Sequence, residues 1–260
     1  MQIADRVSLW GGKNSPLPPG ARWVEYLEGT GTQWIDTGFK ATNGCKMEFR
    51  CLQTVANAGG IFVGSHNPSS NSSNSYNRNQ AGIAGSGALK FNKCDRFEDF
   101  TVPSFDLQAF HTYSFDTRGT RRIGYFDGAL VVNGTTTTTL KPVNNIVVWR
   151  LQYYPETSPN RCVAGKISFL KIWDVNDVLV RDFRPIAIGT TGYMLDLVSG
   201  EYLQYGNAGT GDFIVGPDAP AMTGGGYKRL CVKRSHRRSS RPSARFWHAA
   251  HLPRTWKEVA

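Results

Sequence analysis

The chain has 260 residues, and its 30 Lys and Arg against 20 Asp and Glu give a formal charge of +10. Ten of the basic residues and one acid lie beyond position 223, so residues 1–223 are close to neutral and the excess charge belongs to the end of the chain. No stretch reaches the roughly 18 consecutive apolar residues of a membrane helix, and 28 Gly beside 7 Trp, 10 Tyr and 14 Phe favour short strands and tight turns over helices.

Residues 1–20 carry Asp5 and Arg6 where a secretory leader has an apolar core, so a product made in the cytoplasm without such a leader is expected. They end in Ser15-Pro16-Leu17-Pro18-Pro19-Gly20, a stiff lead by composition. Strand patterns follow at Trp23 to Glu28, Gln33 to Phe39 and Lys46 to Cys51, the last alternating strictly between polar and apolar. Ile61-Phe62-Val63 is a further short strand. It runs into residues 65–80, which hold six Ser and five Asn among 16 positions. That composition cannot offset its ordering entropy by burial and predicts a long exposed loop.

Strands resume at Ala88 to Phe91 and Phe110 to Phe115, and Asp127-Gly128 predicts a hairpin turn inside residues 121–132. The Thr135 to Thr139 run is β-prone, and Asn145 to Tyr154 reads as a strand ending in aromatics. Ile167 to Trp173 looks apolar on both faces, as a central strand would be, and Asn176-Asp177 turns it back into Val178 to Phe183. A last hairpin is expected at Ser199-Gly200. The organisation expected is a lead over 1–20, one antiparallel sandwich over 21–218, and a Gly hinge with a basic, aromatic tail over 219–260.

The five cysteines (Cys45, Cys51, Cys94, Cys162, Cys231) are odd in number and form no C-x-x-C pair. They read as thiols of a reducing compartment, and Cys45 and Cys51 in one strand are held too far apart to bridge. Neither they nor the five His residues cluster at zinc-ligand spacing.

Three blocks carry a family resemblance. The run Tyr26-Leu27-Glu28-Gly29-Thr30-Gly31-Thr32-Gln33-Trp34-Ile35-Asp36-Thr37-Gly38-Phe39 resembles the opening strands of concanavalin A-like, laminin-G-type jelly-roll domains, in the version found in gut Bacteroidales and their phages. Gly165-Lys166-Ile167-Ser168-Phe169-Leu170-Lys171-Ile172-Trp173-Asp174, followed by Leu179-Val180-Arg181-Asp182-Phe183-Arg184-Pro185, is similar to the same domains. So are Gly192-Tyr193-Met194-Leu195-Asp196 and Gly206-Asn207-Ala208-Gly209-Thr210-Gly211-Asp212-Phe213. The resemblance covers the body but neither extension, and it implies an all-β, antiparallel jelly-roll β-sandwich. That fold hosts lectins, glucanases, adhesion modules and structural domains, so it implies no single activity.

The residues argue against catalysis. Retaining glucanases of this fold place carboxylates at E-x-D-x-x-E spacing, and the nearest pairs here, Glu25/Glu28, Glu98/Asp99 and Asp174/Asp177, do not match it. No nucleophile elbow, phosphate loop or His-Glu-x-x-His motif occurs. Glycan binding needs aromatic platforms and planar polar groups. His66, Tyr76, Asn77, Arg78 and Asn79 of the Ser/Asn segment, with Arg150, Tyr153 and Tyr154, are the candidates. The alternative is that Trp149 and one tyrosine are core and the segment is simply solvated. No cofactor is expected. Calcium is common in the resembling domains, and Asp174, Asn176 and Asp177 offer oxygen ligands, but turn geometry also accounts for them.

The tail mixes Lys228, Arg229, Lys233, Arg234, Arg237, Arg238, Arg241 and Arg245 with Phe246, Trp247 and Trp256. Cations alone would suit phosphates, whereas the exposed rings favour docking on a protein partner. The expectation is a non-enzymatic virion protein of a phage or prophage. Its jelly roll would display a glycan-binding surface toward the host, and its tail would attach it to other assembly proteins. Alternatives are a purely structural capsid or tail decoration protein, and an exported adhesin or glycan-binding module at the cell surface. Nucleic acid at the tail remains a further partner, an oligomer is expected, and a membrane is not.

Overall fold

Period-two alternation of polar and apolar side chains is realised as strand through most of the body, and no helix forms among the described residues. The computed structural model describes residues 17–53, 62–68, 76–83, 89–94, 99–100, 106, 108–137, 144–150, 163–204 and 211–220. In chain order their strands are β1 (Ala21–Trp23), β2 (Leu27–Thr30), β3 (Ile35–Asp36), β4 (Lys46–Gln53), β5 (Val63–Pro68) and β6 (Tyr76–Ile83). Next come β7 (Leu89–Lys93), β8 (Asp99–Phe100), β9 (His111–Asp116), β10 (Arg121–Phe126), β11 (Ala129–Thr135) and β12 (Val147–Val148). The last are β13 (Ala164–Trp173), β14 (Leu179–Ile188), β15 (Thr191–Asp196), β16 (Tyr202–Leu203) and β17 (Ile214–Val215).

The larger sheet has 11 strands and runs β11-β10-β9-β4-β13-β14-β15-β16, with β1, β2 and β17 beside that path. The smaller has six, in the order β3-β12-β5-β6-β7-β8. Every pairing is antiparallel. The chain passes from β4 in the larger sheet to β5–β8 in the smaller. It returns for β9–β11, crosses once more for β12, and ends in β13–β17 of the larger sheet. The architecture is an all-β, antiparallel jelly-roll sandwich, as the sequence predicts.

The β13–β14 hairpin splays open. Leu170 to Trp173 pair with β14, whereas Ala164 to Ile167 pair with β2. The wedge between the two arms is filled by β2, β17 and β1. Leu27 pairs with Val215, Val24 bridges Asp218, and Trp23 lies opposite Ile186 of β14. Both ends of the body thus meet in one sheet.

The inner faces share one core. Met47, Phe49 and Cys51 of β4 and Tyr113 and Phe115 of β9 are buried with Phe62, Val63, Ala81, Phe91 and Trp149 on the other side. Phe49 stacks on Tyr113 at 4.8 Å between ring centroids, Phe91 meets Phe115 at 5.3 Å, and Trp149 meets Phe213 at 4.6 Å. Such pairs contribute about 1 kcal/mol each beyond their burial. Cys45, Cys51 and Cys94 are buried and form no disulfide, and burial pushes the Cys45 thiol up to about 12.

Four expectations are corrected. Residues 65–80 are not one long loop, because β5 and β6 pair from Val63/Ala81 out to Pro68/Tyr76. Backbone pairing satisfies their amides whatever the side chains, and the apolar ends Val63, Ala81 and Ile83 tie the hairpin to the core. Second, β13 is half-buried rather than apolar on both faces. A bulge between Ile167 and Phe169 turns Phe169 outward, where Arg184 lies 5.0 Å above its ring, and Trp173 lies beneath Lys46 at 4.7 Å. Third, β12 stops after two residues because Trp149 takes a left-handed φ of 64°, and residues 151–154 lie outside the described residues. Fourth, the strand read through Trp23 to Glu28 divides into β1 and β2, since Val24 and Glu25 turn to the wedge and bond Pro185 and Pro217. The Asp127-Gly128 turn forms as expected, with both residues at positive φ, 46° and 79°.

Candidate functional site

The strand period sorts the β5–β6–β7 residues onto two faces of the smaller sheet. Val63, Ala81 and Phe91 are in register and belong to the core. Two residues along, Ser65, Asn79 and Lys93 share that inner face. There Asn79 Nδ2 donates to Cys45 Sγ at 3.1 Å, and Lys93 Nζ donates to Gly119 O and Arg121 O at 2.6 and 2.9 Å. Burial holds the Lys93 ammonium below its ordinary pKa, and these two carbonyls fix it as an internal tie between the sheets.

The intervening positions, Gly64, Gln80 and Asn92, form a register row on the opposite face. Strand alternation carries that face to the pair 66/78 and then to the pair 68/76. Gln80 is 2% and Asn92 3% exposed. Asn92 Nδ2 donates to Gln80 Oε1 at 3.4 Å, while Gln80 Nε2 and Asn92 Oδ1 have no partner. A donor and an acceptor, each costing about 1–3 kcal/mol when buried unpaired, thus belong to two neighbouring side chains. A hydroxyl carries both of the functions that this pair lacks, an acceptor for Nε2 and a donor for Oδ1.

The residues expected from sequence are distributed as follows. His66 lies in β5 opposite Arg78, and Tyr76, Asn77, Arg78 and Asn79 lie in β6. Position 79 falls on the inner face, so Asn79 is a core group. Arg150 is also buried, its guanidinium 4.8 Å above the Trp34 ring, and Trp149 is core. Tyr153 and Tyr154 lie outside the described residues, as do Lys228, Arg229, Lys233, Arg234, Arg237, Arg238, Arg241, Arg245, Phe246, Trp247 and Trp256 of the tail. Sequence reasoning missed Gln80 and Asn92. The signal was the alternation Arg78-Asn79-Gln80-Ala81, readable once the segment is recognised as strand.

The oxygen-rich turn acts as a turn. Asp174 Oδ1 accepts from the amides of Asn176 and Val178, both at 2.9 Å, and Asp177 pairs with Arg118. Among the described residues no three His, Cys, Asp or Glu side chains are grouped to hold a metal ion.

No protein-family model matches the chain, and no curated protein does. Solved structures of similar fold include a native heptameric SAP-like pentraxin from Limulus polyphemus, 14% identical, covering 62% of this chain and 76% of its own, with a TM-score of 0.39. A "putative carbohydrate binding protein" from Bacteroides ovatus is 13% identical, with 76% and 61% covered and a TM-score of 0.47. Domains LG4-5 of the mouse laminin alpha1 chain are 12% identical, with 68% and 48% covered and a TM-score of 0.39. The chain thus spans less than two thirds of the last two.

Proposed function

We propose that this protein is a non-catalytic glycan-binding module carried on a phage or prophage particle, with the β5–β7 region around the buried amides of Gln80 and Asn92 as the place where it contacts sugar. The observation that carries the reading is the unpaired Nε2 and Oδ1 of that amide pair, which together match a hydroxyl. His66, Arg78 and Tyr76 occupy the neighbouring register positions and supply the residue types that extend such a surface. The tail, with ten basic residues among positions 224–260, is the attachment segment.

A glycan array probed with the full chain tests the binding. Discrete hits are expected, with Gln80→Ala and Asn92→Ala each weakening them about tenfold or more. Folded protein that binds nothing, or hits indifferent to both substitutions, would mean that the amide pair holds only water. Deleting residues 224–260 is expected to abolish incorporation into particles, and unchanged incorporation would remove the anchor role.

A further inference from the structure

His111 opens β9 with its side chain buried and its ring stacked on Phe126 at 4.8 Å between centroids. Its two ring nitrogens meet two different segments. Nδ1 lies 2.6 Å from Asp127 Oδ2 in the β10–β11 turn, and Nε2 lies 2.7 Å from the main-chain oxygen of Asp106 in the turn that leads into β9. That oxygen also accepts from Ala109 N at 3.0 Å, which closes the lead-in turn. Asp127 Oδ1 accepts from Thr112 N at 2.8 Å, so its carboxylate is fixed beside the ring.

Neither partner has a hydrogen to offer, because a main-chain carbonyl and a carboxylate both only accept. Neutral imidazole has one N–H and cannot bond both, whereas imidazolium has two and fits both at once. The charged acceptor holds its N–H more strongly than the neutral one. Loss of a proton therefore strips Nε2 and leaves a lone pair facing Asp106 O at hydrogen-bond distance. Among the described residues the neighbouring groups do not replace that bond. Cys51 on β4 is the register partner of His111, and Tyr113 lies two residues along the same face of β9. Burial pushes the Cys51 thiol and the Tyr113 hydroxyl well up, so both stay uncharged near neutral pH. The Asp106 carboxylate accepts from Gln108 N within the lead-in turn, and the Arg50 guanidinium stands 5.1 Å above the Phe110 ring.

We propose that His111 is a proton-operated latch on the turn that leads into β9. Doubly protonated, it ties that turn to the β10–β11 turn. On losing the Nε2 proton it keeps Asp127 and releases Asp106. The latch is thus closed at lower pH and opens as pH rises. The segment it releases carries Phe110, whose ring packs on Tyr26 at 5.8 Å and beneath Arg50, so this contact loosens with the turn. The latch is independent of the amide pair on the smaller sheet.

NMR of the isotope-labelled full chain from about pH 5 to about pH 9.5, a range that brackets imidazole titration, tests it by following the His111 ring nitrogens and the Ala109 amide. At the acid end both ring nitrogens should carry hydrogen. As the ring titrates, Nε2 should lose its hydrogen while Nδ1 keeps it. Protection of the Ala109 amide, corrected for intrinsic exchange, should fall about tenfold with the same midpoint. In His111→Gln that protection should be low and flat across the whole range. The native chain alone decides the matter if this variant does not fold. A ring with one hydrogen at the acid end, a ring still carrying two at the alkaline end, or Ala109 protection that does not follow the ring would each overturn the latch.

Discussion

Trp149 joins the two sheets through one side chain. Its ring lies between Phe62 and Phe213, and Nε1 donates to Gly165 O of β13 at 2.8 Å. Trp149→Ala should destabilise the fold by about 3–5 kcal/mol. Trp149→Phe keeps most of the packing but leaves the Gly165 carbonyl unpaired, at a cost of about 1–3 kcal/mol; chemical denaturation orders the two. Asp116 gives a pH-dependent counterpart. Burial raises its pKa, but Arg118, donating to it from Nε and Nη2 at 2.9 and 2.7 Å, outweighs that, so the carboxyl sits below its ordinary range. A depressed folded-state pKa contributes stability above the unfolded value of about 4 and loses it as pH falls through the folded value. The stability gap between the native chain and Asp116→Asn should therefore shrink on acidification below about pH 4 in urea unfolding curves, and a constant gap would refute the assignment. Sequence alone could not separate Asn79 from Gln80, because they are adjacent polar amides. Only the strand register puts one against Cys45 and the other on the opposite face of the sheet, buried beside Asn92.

Among the elements, β4, β9, the β10–β11 hairpin and the β13–β14 hairpin were legible from alternation and from the Asp-Gly and Asn-Asp turns. Two groups were not. The wedge joins β2 to β17, pairing Leu27 with Val215 across most of the chain, and local pattern carries no information about so distant a partner. The β5–β6 hairpin was hidden by composition, since Ser and Asn have low strand propensity and their run reads as loop. What forms it is the backbone ladder, anchored at one end by Val63 and Ala81. Ladder amides within residues 63–68 and 76–83 should accordingly exchange slowly with solvent, a result a solvated loop cannot give; exchange at random-coil rates would restore the loop.

For the whole molecule, the sandwich was readable from sequence, whereas the proposed sugar site was not. The two amides on which that proposal rests came from strand register. The +10 charge resolves into a near-neutral body and a cationic tail, so the sandwich has no strong field of its own with which to attract nucleic acid. The glycan binding proposed for it would then rest on short-range, directional hydrogen bonds. The central claim is that Gln80 and Asn92 together bind a sugar hydroxyl, and their side-chain NH₂ resonances report on it directly. Titration with an array-positive glycan should shift both pairs of NH₂ signals along one saturating curve. Binding that leaves both signals unmoved would contradict the account.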